Sequence, residues 1–154
     1  MTAILPRGKV WEPVFAGWFA GNGFGDMTGA PWVVEGGVLG GPVMMTGTYS
    51  VGVVRDAVNS WFHEVLKREI PWHQPVVGET SDAFLNDGLG QHVTMAHVFQ
   101  ALNAAKSGRV QEGSVGGGTG MVAAWLQRRD WHGQPSSRDA VHGGCAGPGQ
   151  LRIA

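Results

Sequence analysis

Gly113-Ser114-Val115-Gly116-Gly117-Gly118-Thr119-Gly120-Met121-Val122 is the run on which the reading of this 154-residue chain turns. A single serine is followed at once by a glycine-dense loop. Glycines let backbone N–H groups and a substrate crowd around one hydroxyl with no Cβ in the way. An exposed nucleophile needs that freedom. So does a self-cleaving Gly-Ser bond, whose hydroxyl must fold back onto its own preceding carbonyl. Glycine loops also cradle phosphates, so the run alone leaves two chemistries open. The phosphate-binding pattern needs a lysine after its second glycine, and Thr119 follows Gly118 instead; nor does a Gly-x-Gly-x-x-Gly open a helix here.

Outward from the loop, composition sets the class. Apolar residues make up 43% of the chain and charged residues 15%, the latter well under the usual quarter. There are 26 glycines, more than twice the proportion of about 7% that is typical. They are spread through apolar segments rather than gathered in low-complexity blocks, so the chain reads as a folded domain or a piece of one. A net charge of −1 argues against a polyanion-binding surface, and no nucleic-acid partner is expected. The one cysteine, Cys145, excludes an intrachain disulfide framework. The apolar run Val14 to Ala20 is too short to span a bilayer, so a soluble, cytoplasmic protein is expected, with no membrane partner.

Two helices are predicted. Val54, Val58, Trp61, Phe62, Val65 and Leu66 recur at helical spacing, with Pro71 enforcing a stop soon after Glu69. The second runs from Met95 to Lys106, with Thr94 as N-cap and Gly108 as exit. Strands are predicted at Val14–Phe19, Trp32–Val34, Val43–Val51, Pro75–Glu79 and Val110–Val115, separated by glycine-rich turns. The intermixing gives an α+β class with a buried sheet. Beyond Ala124 no period of 2 or 3.6 persists, and the tail lacks the pattern of a folded element.

Residues 1 to about 121 resemble the DmpA-type L-aminopeptidase/D-esterase family, which includes the β-peptidyl aminopeptidases. The resemblance rests on ten blocks in order. They include Leu5-Pro6-Arg7-Gly8, Val14-Phe15-Ala16-Gly17, Asn22-Gly23, Met27-Thr28-Gly29 and Trp32-Val33-Val34-Glu35. Thr48-Tyr49-Ser50-Val51-Gly52, Val54-Arg55-Asp56-Ala57, Pro75-Val76-Val77-Gly78-Glu79-Thr80, Leu85-Asn86-Asp87 and the Gly113–Met121 loop follow. The resemblance implies an αββα sandwich like that of N-terminal-nucleophile hydrolases, here partial, in a precursor that cuts itself just before its nucleophile. It also implies a homo-oligomer. After Met121 the resemblance stops. Back-translated in a frame shifted by one base, Ala124 to Pro135 and Asp139 to Ile153 can encode the family's next two motifs. A one-base insertion near codons 121 to 124 is therefore expected. On that reading residues 1–121 are a partial peptidase domain, 122–154 an out-of-frame disordered tail, and a segment upstream of Met1 is missing.

The resemblance assigns roles residue by residue. Ser114 becomes the nucleophile once the Gly113–Ser114 bond breaks, with its own liberated α-amine as base, a group of pKa about 7.7–8.0. Asn86 matches the family's oxyanion-stabilising amide; read from the residues themselves, Glu35 is a candidate anchor for the substrate's free amine by charge pairing, and Tyr49 a candidate pocket residue. Spacing alone also allows a turn serine at 114, a bend residue at 86, a solvated carboxylate at 35 and a core tyrosine at 49. Asp82 and Glu79 receive no role. No cofactor or metal is expected: His92 and His97 lie five apart, off a common helical face, and His132, His142 and Cys145 fall in the tail. The expected activity is hydrolysis of short peptides, amides or esters bearing a free amine. The alternatives are an inactive truncated product and a nucleotide-binding module built on the glycine loop.

Overall fold

The computed structural model describes residues 1–20, 25–69, 72–123, 126–127 and 149–153, with side chains described up to residue 121. In chain order the elements are β1 (Thr2–Ile4), β2 (Pro13–Ala20), α1 (Ala30–Gly36), β3 (Val38–Gly40), β4 (Val43–Gly47) and α2 (Val51–Glu64). Then come β5 (Val76–Thr80), α3 (Met95–Ala104), β6 (Val122–Ala123), β7 (Leu126–Gln127) and β8 (Gly149–Ile153). Short 3₁₀ turns occupy Thr48–Ser50 and Gly116–Gly118.

The centre is a β4–α2–β5 unit. Parallel strands cannot be joined by a tight turn, and α2 supplies the crossover that lays β5 beside β4, from Val43↔Val76 to Gly47↔Thr80. β1 flanks β4 in antiparallel register, giving the order β1-β4-β5. On the other edge of β5, the Thr28 N–H donates to the Val77 carbonyl, the Val77 N–H donates to the Thr28 hydroxyl, and Met27 bridges Gly78. Successive side chains of a strand point to opposite faces, and here both faces are apolar. Met44 and Val77 pack with Val54, Val58 and Trp61 of α2 and with Val98 and Leu102 of α3. Val43 and Val76 meet Val14 of β2, Leu39 of β3 and Val33 of α1. Burial on both sides is why Val43-Met44-Met45 reads as an unbroken apolar run.

The second sheet has the order β3-β2-β8, with β2 antiparallel to both neighbours. Val14 of β2 faces the first sheet, while Phe15 and Phe19 on the opposite face are 78% and 71% exposed. The described residues thus form three layers, helix, sheet and sheet, of the expected αββα arrangement. The part of the chain read as a tail without folded elements falls mostly outside the described residues; within it, Gly149–Ile153 runs along β2 from Ala20 to Ala16.

Two strand expectations are corrected. Trp32–Val34 lies within helix α1, not a strand. Gly29, with φ +70°, and Pro31 in the first turn start the helix; Gly37, also left-handed, ends it by donating its N–H to the Val33 carbonyl. Of the three adjacent apolar residues that suggested a strand, Val33 is buried while Trp32 and Val34 are 48% and 59% exposed. Val110–Val115 forms no strand either: Val110 is 63% exposed and no partner strand lies beside it among the described residues. The strand expected to run to Val51 ends at Gly47, and the helix expected from Val54 already begins at Val51.

His73 staples the end of β3 to α2. Its Nε2 lies 2.8 Å from the Gly40 carbonyl, its Nδ1 lies 3.2 Å from the Asn59 side-chain oxygen, and its ring meets Phe62 edge-on. Burial pushes its pKa below the usual histidine value, against the pull of the Gly40 hydrogen bond, and the Arg55 charge lowers it further. The unfolded chain therefore takes up this proton at a higher pH than the native one. The staple's contribution is complete above the unfolded histidine pKa of about 6.5 and fades as pH falls below it. Thermal unfolding followed at pH 7.5 and pH 5.5 should show the lower midpoint at pH 5.5, and His73→Gln should shrink that difference.

Candidate active site

All of the predicted site residues except Glu35 stand beyond the C-terminal ends of β4 and β5, the end of a parallel pair where loops commonly build ligand sites. From β4 the chain passes through Gly47 into the 3₁₀ turn carrying Tyr49. From β5 it passes through Thr80 into the turns of residues 81–92. The Thr48 hydroxyl donates to the Glu79 carboxylate and ties the two exits together. Tyr49 is 51% exposed rather than a core residue, and a Cβ on Gly88 would come within 3.2 Å of its ring.

The glycine loop closes over these exits. The N–H of Gly117 donates to Thr2 Oγ1 of β1 at 2.9 Å, a contact spanning 115 positions in sequence. Gly118 donates to the Val115 carbonyl at 2.9 Å and Thr119 to the Gly116 carbonyl at 3.2 Å. These three N–H groups are thus already engaged within the chain and are not open to a phosphate. At its N-terminal end, Val115 N–H donates to the Gly113 carbonyl at 2.9 Å, folding Gly113-Ser114-Val115 into a tight three-residue turn. Ser114 is exposed, and no hydrogen bond engages its hydroxyl among the described residues; its carbonyl accepts from Thr119 Oγ1 at 3.5 Å.

Asn86 joins the loop from the β5 side. Its Nδ2 donates to the Asp82 carboxylate at 3.0 Å and to the Thr119 carbonyl at 2.9 Å. Gly120 makes this approach possible: it adopts φ +72°, and a Cβ there would stand 2.6 Å from Asn86 Nδ2. The next residue, Asp87, has separate partners, His92 Nε2 at 2.8 Å and the Gly90 N–H at 3.1 Å. The His92 hydrogen bond first, and the Gly90 one second, hold its carboxyl below the usual carboxylate range.

Gly113, Ser114, Asn86 and Tyr49 thus stand on loops at one end of the first sheet. Glu35 stands elsewhere, exposed on α1, which packs against β2 and β3. Sequence reasoning missed Asp82 and the Thr119 carbonyl, the two acceptors that fix the Asn86 amide; the four-residue spacing of Asp82 and Asn86 within a turn is the signal that was present. An open cleft of about 410 Å³ between the end of α2 and residues 72–74, lined by Asn59, Phe62, His63 and His73 among others, holds none of the predicted site residues. No helix among the described residues is long and apolar enough to cross a membrane.

The pattern of peptidase family S58 matches residues 1–128. The chain is 52% identical over 122 residues to the beta-peptidyl aminopeptidase BapA of Sphingosinicella microcystinivorans, covering 79% of this chain and 31% of that protein. Among solved structures it superposes on a Burkholderia sp. beta-aminopeptidase with a TM-score of 0.67 and 52% identity, over 71% of this chain and 31% of the other. On the L-aminopeptidase D-Ala-esterase/amidase of Ochrobactrum anthropi, a variant of the Ntn hydrolase fold, the TM-score is 0.74 and the identity 41%, covering 81% and 36% of the two chains. The chain spans about a third of the length of these relatives.

Proposed function

Since the chain belongs to peptidase family S58, we propose that it carries the nucleophile of a self-processing serine aminopeptidase acting on short peptides, amides or esters with a free amine. The observation that carries the reading is Ser114: exposed, its hydroxyl unengaged among the described residues, in a tight turn directly after Gly113, with the Asn86 amide bonded to the same loop. In the first step the Ser114 hydroxyl attacks the Gly113 carbonyl carbon. The Gly113–Ser114 C–N bond breaks, the nitrogen gains a proton, and an ester links the two residues. Water then hydrolyses the ester, leaving the Gly113 carboxylate and a free Ser114 amine. In turnover that amine, partly neutral near pH 7, accepts the hydroxyl proton as Oγ attacks a substrate carbonyl, the leaving amine or alcohol recovers it, and water then cleaves the acyl–Oγ ester to release the acid and restore the hydroxyl. Asn86 donates to the oxyanion of the tetrahedral intermediate, a role worth about 3–4 kcal/mol in comparable sites. The beta-peptidyl aminopeptidase and aminopeptidase names of the relatives support the free-amine substrate class.

The test compares aminoacyl p-nitroanilides with and without an N-acetyl block. Nitroaniline release is expected from the free-amine substrate and only after the chain has cut itself, as followed by intact mass. Equal release from the blocked substrate would refute the aminopeptidase reading.

A further inference from the structure

An amide side chain has two faces, and an oxyanion donor is useful only if its NH₂ end points at the reacting carbon. Asn86 is held the right way round by a group with no role so far. Asp82 Oδ2 lies 3.0 Å from Asn86 Nδ2. An ionised carboxylate accepts hydrogen bonds and cannot donate, so it takes the NH₂ end of Asn86 and not the carbonyl end. The second N–H of the same nitrogen then falls on the Thr119 carbonyl at 2.9 Å, inside the glycine loop. The backbone of Asp82 reinforces the arrangement, its carbonyl accepting from Leu85 N–H at 3.1 Å and Asn86 N–H at 3.0 Å. The carboxylate is itself seated closely: a Cβ on Gly47, at the end of β4, would lie 2.7 Å from Asp82 Oδ1. Both Asp82 and Asn86 are half-buried.

We propose that Asp82 is the positioning residue for Asn86, locking its amide so that one N–H faces the nucleophile loop, where the Thr119 carbonyl occupies it until an oxyanion takes its place. The proposal rests on the hydrolase reading above. It gives Asp82 no contact with substrate and no proton to transfer.

Two readouts on the full chain test it. In ¹H–¹⁵N spectra the Asn86 side-chain pair is expected to be protected from solvent exchange, and Asp82→Ala should cut that protection at least tenfold. Asp82→Asn, whose amide oxygen can still accept, should restore it. In nitroanilide turnover, Asp82→Ala should lower kcat about tenfold with KM unchanged, less than the ~10²–10³ lost with an oxyanion donor itself. In an Asn86→Ala background it should cost nothing further, since residues acting through one another are not additive. Asp82 also lies near the Met1 amine, whose pKa its charge raises against the larger lowering by burial. A role confined to that amine would leave the Asn86 signals untouched in a folded Asp82→Ala chain, and this result would overturn the proposal alone. Absence of turnover from the unsubstituted chain would instead overturn the hydrolase reading, and the proposal with it.

Discussion

Ser114→Ala is expected to keep the 154-residue chain in one piece, whereas the unsubstituted chain resolves by mass into parts of 113 and 41 residues, 154 less 113. The reason is chemical rather than structural. Alanine fits the same exposed turn, and the loop's bonds to Thr2 and Asn86 come from backbone groups beyond position 114. Folding should therefore be unaffected while the attacking oxygen is gone. Loss of the nucleophile in a comparable serine hydrolase costs about 10⁶ in rate, so no cut should appear over days. Ser114→Cys, which keeps a nucleophile of similar reach, should still cut. A Ser114→Ala chain divided at the same bond as quickly as the parent would end the assignment.

The second large effect is on stability. Trp61 is 1% exposed at the centre of the core between α2, α3 and the first sheet, and its indole N–H donates to Asn103 Oδ1 at 3.0 Å. Its ring also meets Phe62 edge-on at 5.4 Å. Among the described residues, Trp61→Ala removes the largest fully buried side chain and a side-chain hydrogen bond between the two helices. Truncations of this kind cost about 3–5 kcal/mol, a large share of the roughly 5–15 kcal/mol that holds a typical domain. Urea unfolding followed by circular dichroism should show the midpoint fall accordingly. Trp61→Phe, which leaves a smaller void, should lose less. An unchanged midpoint in Trp61→Ala would mean that this cluster is not where the fold is held.

What could be read in advance follows the range of the interactions. α2 and α3 were legible because Val54, Val58 and Trp61, and then Val98 and Leu102, repeat at helical spacing and face one core. The Thr94 cap was legible for the same local reason, and His97 completes it by reaching back to the Thr94 N–H. β1 and β3 were not, since three residues carry no period and both strands exist only through partners far along the chain. At α1 two apolar neighbours flanking Val33 imitated a strand, and the glycines bracketing them decided otherwise. The site divides in the same way. Ser114 could be singled out from its own neighbours, and its role came from resemblance. The meeting of Asn86 with Thr119, 33 positions apart, is a property of the folded chain alone. Asp82 escaped notice because a carboxylate in a turn has many ordinary uses; its distance to one nitrogen is what distinguishes it.

The stitching of Gly117 to the first strand bears on what a cut at Ser114 would do. The segment downstream of the break is held by the Thr2 hydroxyl, by the Asn86 amide and by the five-residue pairing of β8 with β2. Backbone scission would therefore produce a nicked particle rather than two departing polypeptides. The fresh terminus gains rotational freedom at one end while its anchorage a few residues on stays fixed. Maturation in such a molecule alters covalent connectivity and leaves the particle's hydrodynamic size nearly as before.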